Sequence, residues 1–168
     1  MSSIGFQNFC KQSGTKETFV YAWEPDPKNL ELCKLNLEKN QIQNRLINKG
    51  LWNKTDHLCF EMAKKSSTIS ENGSIHIEVD SIDNVINSPV TFIKMDIEGA
   101  EYNALLGAEK TIKKYKPKLA ICIYHKPEDI WEIPMLIYQF NPNYKFFVRH
   151  YSFGDYETVL YAIDKSDL

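Results

Sequence analysis

The stretch VTFIKMDIEGAEY, residues 90–102, decides the fold, because a continuous apolar run ends there in a turn with three carboxylates. TFIKM lacks the polar alternation of a half-exposed strand, so it predicts a strand covered on both faces of a parallel sheet. The following EGAEYNALLGAEKTIKKYK predicts one helix, despite Gly107, that ends before Pro117. A buried strand that leads directly into a helix is the repeating unit of α/β folds.

The same unit recurs on both sides of this stretch. Upstream, FVYAWEPD (19–26) predicts a buried strand that ends at Asp26, the expected N-cap of a helix over 27–39. Downstream, KLAICIYH (118–125) predicts a third buried strand, and EDIWEIPMLIYQF predicts the helix after it. The chain therefore alternates strand and helix, as in a parallel sheet.

Weaker strand patterns complete the fold. RLINKGLW, LCFEM and SIHIEVDSI are strand candidates, and the last two could pair as a hairpin across the polar KKSSTISENGS. YKFFVRHYS and ETVLYAID flank the turn-rich FGDY and predict an antiparallel hairpin at a sheet edge. We expect a single α/β domain over residues 1–168, with a mostly parallel sheet, helices on both faces and this hairpin at its C-terminal edge.

Composition limits the classes of function. The 20 basic and 22 acidic residues leave a net charge of -2, which favours a small or uncharged substrate over nucleic acid or a membrane surface. The four cysteines form no CxxC pair, so neither a zinc ribbon nor a redox dithiol is expected, and no metal ligand is assigned. No signal peptide or membrane span is visible, which predicts a cytoplasmic protein. The oligomeric state is not predicted.

Polar side chains follow three of the predicted strands. In open α/β sheets, ligands bind outside the carboxyl ends of the strands, so these side chains are expected to lie along one edge. Glu24 could hold the two hydroxyls of a nucleotide ribose, or it could be a solvated acid beside a helix start. The other strand ends carry Asp96 with Glu98, and Tyr124 with His125.

The DIEGAE carboxylates could bind a divalent metal, orient a substrate hydroxyl or act as a general base. The alternative is helix capping, which we expect for Glu101, whereas Asp96 ends a buried strand and is expected to be functional. Lys94, inside the apolar strand, should need an acidic partner. His125 could deprotonate a hydroxyl or could be a loop residue, and His150 is expected to be structural or exposed.

Taken together, several segments resemble the FkbM family of S-adenosylmethionine-dependent methyltransferases. They are VYAWEPDP, VTFIKMDIEGAEY, LLGAEKTIKKYKPKLAICIYHKPEDIWEIP, and RHYS followed by ETVLYAI, and they span about Phe19 to Asp164. The resemblance implies a class I methyltransferase fold, which is Rossmann-like. It also implies transfer of a methyl group from S-adenosylmethionine to an oxygen of a sugar or other small hydroxylated molecule.

The resemblance also implies roles for individual residues. Glu24 is similar to the acid that holds the ribose of the cofactor, and Gly50 and Leu51 lie where the family binds the adenine. Asp96 and Glu98 match the acidic signature where the cofactor and the acceptor meet, with Asp96 touching both. His125 is the candidate base.

One family feature is not found in this sequence. The family begins with a strand that ends in a glycine-rich turn, whereas MSSIGFQNFCKQSGTKET predicts at best the helix that follows such a turn. We expect Met1 to stand just after that turn, so that the first strand, between the strands at 19–24 and 91–95, is missing. A non-catalytic remnant or interaction module is therefore the alternative to an enzyme. A nicotinamide-dependent oxidoreductase is less favoured, because GxGxxG is absent too.

Overall fold

A computed structural model describes residues 18–63, 66–69 and 75–168 of the chain. It comprises two compact units, Met1–Gly50 and Leu51–Leu168. The helix expected in the first 18 residues lies almost wholly outside the described residues, as does Cys10. The single domain expected over 1–168 stays a prediction.

The first unit contains a strand, a helix and a parallel strand. β1 (Phe19–Trp23) is followed by α1 (Pro27–Lys39) and β2 (Gln43–Ile47). β1 and β2 pair in parallel over their whole lengths, and α1 packs on β2. The strand and helix predicted from FVYAWEPD and its continuation are confirmed, but the predicted burial of the strand is not, since Phe19 is exposed and the other residues of β1 are half-buried.

Asp26 fixes the start of α1, as its position in the sequence predicts. Its side-chain Oδ1 accepts hydrogen bonds from the backbone N–H groups of Lys28 and Asn29, at 2.8 and 2.9 Å. These two donors would otherwise have no partner within the helix. Pro27 costs nothing at the first helical position, because its missing N–H is not needed there.

An antiparallel sheet opens the second unit. β3 (Gly50–Leu51) spans the boundary between the two units in the sequence. It is followed by β4 (Asp56–Ala63), β5 (Ser66–Ile69) and β6 (Ile75–Asp80). β4 pairs antiparallel with both β6 and β5. The predicted pairing of LCFEM with SIHIEVDSI is confirmed, but β5 lies in the polar segment between them and was not predicted.

The mixed sheet of the second unit positions the site. β7 (Phe92–Met95), β8 (Lys118–Cys122), β9 (Tyr144–His150) and β10 (Thr158–Asp164) lie in the order β7-β8-β10-β9. β7 and β8 are parallel, whereas β10 runs antiparallel to β8 and β9. The hairpin predicted at the sheet edge is confirmed. Among the described strands, β7 pairs with β8 alone and β1 with β2 alone, so each has one edge that no described strand covers.

The helices of the second unit are α2 (Ile82–Val85), α3 (Glu101–Leu106), α4 (Glu109–Tyr115) and α5 (Asp129–Phe140). The single helix predicted after the DIE turn is wrong, because it is interrupted at Gly107. A Cβ at that position would lie 2.1 Å from the carbonyl oxygen of Trp52, so the backbone of the Trp52 loop approaches the glycine directly. The close approach explains why this position is a glycine.

The core of the second unit lies between the mixed sheet and its helices. Alternate residues of β8 and its extension, Leu119, Ile121 and Ile123, are buried, as are Ile133 and Ile137 at i and i+4 of α5. The large side chains with less than 2% of their surface exposed include Leu105, Ile112, Leu119, Ile121, Ile133, Ile137 and Leu160. This packing fixes β7 and β8 side by side, and so fixes the loops that follow them.

Of the helices in the described ranges, none combines the length and the apolar character needed to cross a membrane.

Candidate functional site

The turn after β7 has an unusual backbone that places its carboxylates. Glu98 has a φ of 57° and Gly99 a φ of 87°, so two consecutive residues are left-handed. A Cβ at Gly99 would lie 3.0 Å from Cε of Lys126, whose ammonium donates a hydrogen bond to the Gly99 carbonyl oxygen. The loop after β8 therefore holds the turn after β7 in this strained conformation.

Asp96, the first residue after β7, is the centre of the site. Its Oδ2 lies 3.3 Å from the ammonium of Lys94, which confirms the acidic partner predicted for that lysine. Its Oδ1 accepts a hydrogen bond from the Tyr124 hydroxyl at 3.1 Å and lies 3.2 Å from Nε2 of His125. The ends of β7 and β8 thus meet at one carboxylate, as parallel pairing predicts.

Glu101 belongs to the same cluster. It begins α3, as predicted, but its side chain is turned inward and is fully buried. Oε1 accepts a hydrogen bond from the Ile97 N–H at 2.8 Å and lies 3.3 Å from Nε2 of His125. The expectation of an acid that serves only the helix start is therefore wrong. Sequence reasoning missed Glu101 because an acid in a first helical turn is usually solvated.

His125 joins these carboxylates. Its Nε2 faces both Asp96 and Glu101, whereas Nδ1 lies 3.7 Å from the Oε2 of Glu98. The His125 side chain is only 10% exposed, and the Glu98 side chain is 70% exposed. The predicted residues Asp96, Glu98 and His125 are therefore brought together, with Glu98 on the solvent side.

The charges of the cluster stabilise one another. The hydrogen bond from His125 and the charge of Lys94 hold the pKa of Asp96 well below its ordinary value, although burial opposes this. Burial alone would lower the pKa of His125, but the hydrogen bond to Asp96 and the charges of Glu101 and Glu98 outweigh it and raise that pKa. An ionised Asp96 beside a readily protonated imidazole is the resulting state.

For the neighbouring acids Glu101 and Asp129, burial is the largest influence on the pKa. It raises the pKa of Glu101 and of Asp129, whose buried carboxylate begins α5. It also raises the pKa of the Cys122 thiol to about 12, with the Asp96 charge as the second cause. Cys122 is thus a neutral core thiol rather than a nucleophile.

One predicted cofactor residue, Glu24, stands at the end of β1 in the first unit. Glu24 follows Trp23, and its N–H donates to the Ile47 carbonyl oxygen at 3.1 Å. The Asn48 side chain donates to the carbonyl oxygens of Glu24 and Pro25. The Glu24 carboxylate accepts a hydrogen bond from the Asp26 N–H at 2.9 Å, and its role as the acid that holds a ribose stays a prediction. Gly50 and Leu51 form β3.

A shallow apolar hollow elsewhere in the second unit offers no comparable chemistry. It has a volume of about 260 Å³ and is lined by Pro134, Met135, Tyr138, Gln139 and Phe146. None of these side chains is an acid, a histidine or a cysteine. The cluster at the ends of β7 and β8 is therefore the better candidate for a reaction site.

Comparison with known proteins agrees with this architecture. Residues 3–160 match the model of the methyltransferase FkbM domain family. The crystal structure of methyltransferase FkbM from Methylobacillus flagellatus KT is similar, with 29% identity, a TM-score of 0.77, and coverage of 96% of this chain and 41% of that chain. This match confirms the predicted fold class, and the chain spans less than half of that relative. No curated protein matches the sequence.

Proposed function

Because this chain belongs to the FkbM methyltransferase family, we propose that it transfers the methyl group of S-adenosylmethionine to a hydroxyl oxygen of a sugar or another small acceptor. The observation that carries the proposal is the meeting of Asp96, Glu98 and His125 at the carboxyl ends of two parallel strands. Open α/β sheets bind and transform their ligands at this edge.

Glu24 and Gly50 of the first unit, together with Leu51 next in the chain, would contribute to holding the methyl donor. Glu24 would accept hydrogen bonds from both ribose hydroxyls, and Gly50 and Leu51 would lie beside the adenine. The fixed backbone of Glu24, held by Ile47 and Asn48, supports this role, because a ribose clamp must be in place before the cofactor arrives. When bound, S-adenosylmethionine supplies a methyl group on a positively charged sulfur.

The second unit would contribute to holding the acceptor. Asp96 would accept a hydrogen bond from the acceptor hydroxyl and orient its oxygen, and Glu98 and His125 are the groups placed to take its proton. Their geometry suits this, since the side chain of Asp96 is 30% exposed and that of Glu98 is 70% exposed, which leaves a face open to a ligand. Orientation and proton removal are the main tasks, because the methyl donor is already reactive.

A small, hydroxylated acceptor is the class that the composition favours. The chain has no excess of positive charge that would attract a polyanion, with 20 basic and 22 acidic residues. A carboxylate cluster would repel an anionic group at the reacting oxygen, whereas a neutral sugar hydroxyl can donate to it. We therefore place neutral sugars and polyols first among the acceptors.

A methyl-transfer assay tests this function. The chain is incubated with S-adenosylmethionine carrying a tritiated methyl group and with a panel of neutral sugars, polyols and phenols. We expect transfer to at least one class, and we expect Asp96→Asn to lower the rate about 100-fold, the scale of a lost acid–base or orienting group.

The matched control for the assay is Asp167→Asn, which removes an exposed carboxylate paired with Lys118 at the C-terminus. It should leave the rate unchanged, and circular dichroism should show that both variants are folded. A folded wild-type chain that neither binds S-adenosylmethionine nor transfers its methyl group would instead support the alternative, a non-catalytic remnant or interaction module that keeps the fold without binding the cofactor.

A further inference from the structure

Three side chains of the cluster converge on one point. Asp96, Glu101 and His125 each offer one ligand atom, and these three atoms lie within 4.8 Å of one another. Nε2 of His125 is 3.2 Å from Oδ1 of Asp96 and 3.3 Å from Oε1 of Glu101. Two carboxylate oxygens therefore face the same ring nitrogen.

Hydrogen bonding accounts for this arrangement poorly. A ring nitrogen of histidine carries at most one hydrogen, so Nε2 cannot donate a good hydrogen bond to both oxygens. Hydrogen bonds between charged partners are also shorter, at about 2.7–2.9 Å. By contrast, two ligand atoms at right angles on a metal ion, each about 2.1–2.3 Å from it, lie about 3.0–3.3 Å apart. The two spacings from Nε2 of His125, 3.2 and 3.3 Å, lie in or close to this range.

An independent observation comes from the second oxygen of Glu101. The residue is fully buried, and Oε2 has no hydrogen-bond partner among the described residues. Since Oε1 of the same carboxylate faces His125, the unpartnered oxygen belongs to a group directed into the cluster. A buried carboxylate oxygen without a partner is costly, and a cation bound to the carboxylate would satisfy it.

The charge of the surroundings also favours a cation. Four carboxylates lie in or beside the cluster, those of Asp96, Glu98, Glu101 and Asp129, against the two ammonium groups of Lys94 and Lys126. The excess of negative charge in a partly buried region attracts a positive ion. The exposed side of Asp96 provides a route for the ion from solvent.

We propose that Asp96, Glu101 and His125 bind one divalent transition-metal cation, such as Mn²⁺ or Zn²⁺. Two carboxylates and an imidazole suit these ions better than Mg²⁺ or Ca²⁺, which prefer oxygen ligands alone. With three protein ligands the coordination sphere stays open, which leaves a position for a water molecule or an acceptor hydroxyl. The sequence raises metal binding as one role of the DIEGAE carboxylates but assigns no metal ligand, because His125 is distant along the chain and the three residues match no metal motif.

The role of the cation, but not its binding, rests on the proposed methyl transfer. The ion would withdraw electron density from the acceptor hydroxyl and make it easier to deprotonate. His125 is then a ligand, so the proton passes to the exposed carboxylate of Glu98. As the acceptor oxygen forms its bond to the methyl carbon, the carbon–sulfur bond breaks and its electron pair stays on sulfur. S-adenosylhomocysteine and the methyl ether are the products.

Titration of the EDTA-treated full chain with Mn²⁺ tests the site. Calorimetry and electron paramagnetic resonance measure the binding. We expect one bound ion per chain. Glu101→Gln should weaken its affinity at least tenfold, and His125→Gln is a second variant in case the first does not fold. Glu98→Gln is the matched control, because it removes a nearby but exposed carboxylate that lies on the Nδ1 side of the ring, 3.7 Å from Nδ1. Its affinity for Mn²⁺ should stay within about threefold of wild type.

The outcomes separate the cation site from the proposed function. Failure of the folded wild-type chain to bind Mn²⁺ or Zn²⁺ overturns the site, as does equal affinity in Glu101→Gln, His125→Gln and Glu98→Gln. S-adenosylmethionine binding is measured on the same preparation. Retained donor binding without cation binding removes the cation site alone, whereas retained cation binding without donor binding removes the methyltransferase proposal alone.

Discussion

Gly107 lies between α3 and α4, at a position where there is no room for a side chain. In the sequence it is a lone glycine within a helical pattern, and such glycines are tolerated at a modest cost. Only the structure shows that the Trp52 carbonyl oxygen occupies the place where a Cβ would stand. Close approach of two backbones that are distant in sequence leaves no local signal, so this requirement for a glycine could not be predicted.

Gly107→Ala should lower the free energy of unfolding by about 1–3 kcal/mol, the usual cost of forcing an extra carbon into a filled space. Urea denaturation measures this. Gly154→Ala is the matched control, since its Cβ would meet only the ring of Tyr156, which is exposed and can move. That variant should stay within about 0.5 kcal/mol of wild type. Equal effects of the two substitutions would contradict the close approach.

Glu101 marks the limit of prediction within the site. Asp96, Glu98 and His125 could be selected from the sequence, because strand ends of an α/β sheet carry ligand groups. The burial of Glu101 depends on how α3 and α5 pack over the end of β7, which is a tertiary property. A glutamate that begins a helix looks the same in sequence whether it faces solvent or the core.

Among the elements, α1 is the one whose start the sequence predicts best. Its signals are local, an aspartate followed by proline and then apolar residues at helical spacing.

The strand β5, by contrast, could not be predicted from its own residues. Its residues, SSTI, sit in a polar segment and become a strand because β4 offers them an edge to pair with. Pairing with a neighbour overrides weak propensity there.

Asp26→Ala should destabilise α1 by about 1 kcal/mol, because the N–H groups of Lys28 and Asn29 lose their acceptor. Amide hydrogen exchange in the first turns of α1 is the measurement, and exchange there should become faster. Asp26→Asn keeps an oxygen at the cap and should exchange like wild type. If alanine and asparagine behave alike, the side-chain cap does not stabilise the helix.

Asp164, at the end of β10, should make the free energy of unfolding depend on pH in the acidic range. The residue is buried, and hydrogen bonds from Ser166 and then Asn141 hold its pKa well below the ordinary value. The unfolded chain, with an aspartate pKa of about 3.9, therefore takes up a proton first as the pH falls. The stabilisation is complete above that value and is lost progressively below it.

The measurement is the free energy of unfolding of the wild type and of Asp164→Asn from about pH 5 to about pH 3. Asparagine cannot titrate, so the wild type should lose stability more steeply than the variant over this range. Parallel curves would show that Asp164 has the same proton affinity in the folded and unfolded chains, contrary to its hydrogen bonds with Asn141 and Ser166.

At the scale of the whole molecule, the order of the main elements could be predicted because each βα unit carries its own pattern. The strands around residues 19–23, 92–95 and 118–122, the helices after them and the closing hairpin all follow from it. The grouping of the strands into three sheets could not be predicted, since it depends on which edges meet. The family resemblance extended the prediction from fold to function, and the family match confirms that the chain is of the methyltransferase FkbM type.

The central claim, that this chain is a methyltransferase that uses S-adenosylmethionine, is tested most directly by calorimetric titration with S-adenosylmethionine and S-adenosylhomocysteine. We predict that both bind the wild-type chain and that Glu24→Ala weakens binding at least tenfold, through loss of the two hydrogen bonds to the ribose. Glu31→Ala, which removes an exposed acid of α1, should bind like wild type. No binding by a folded wild-type chain, or equal affinity in the two variants, would contradict the account.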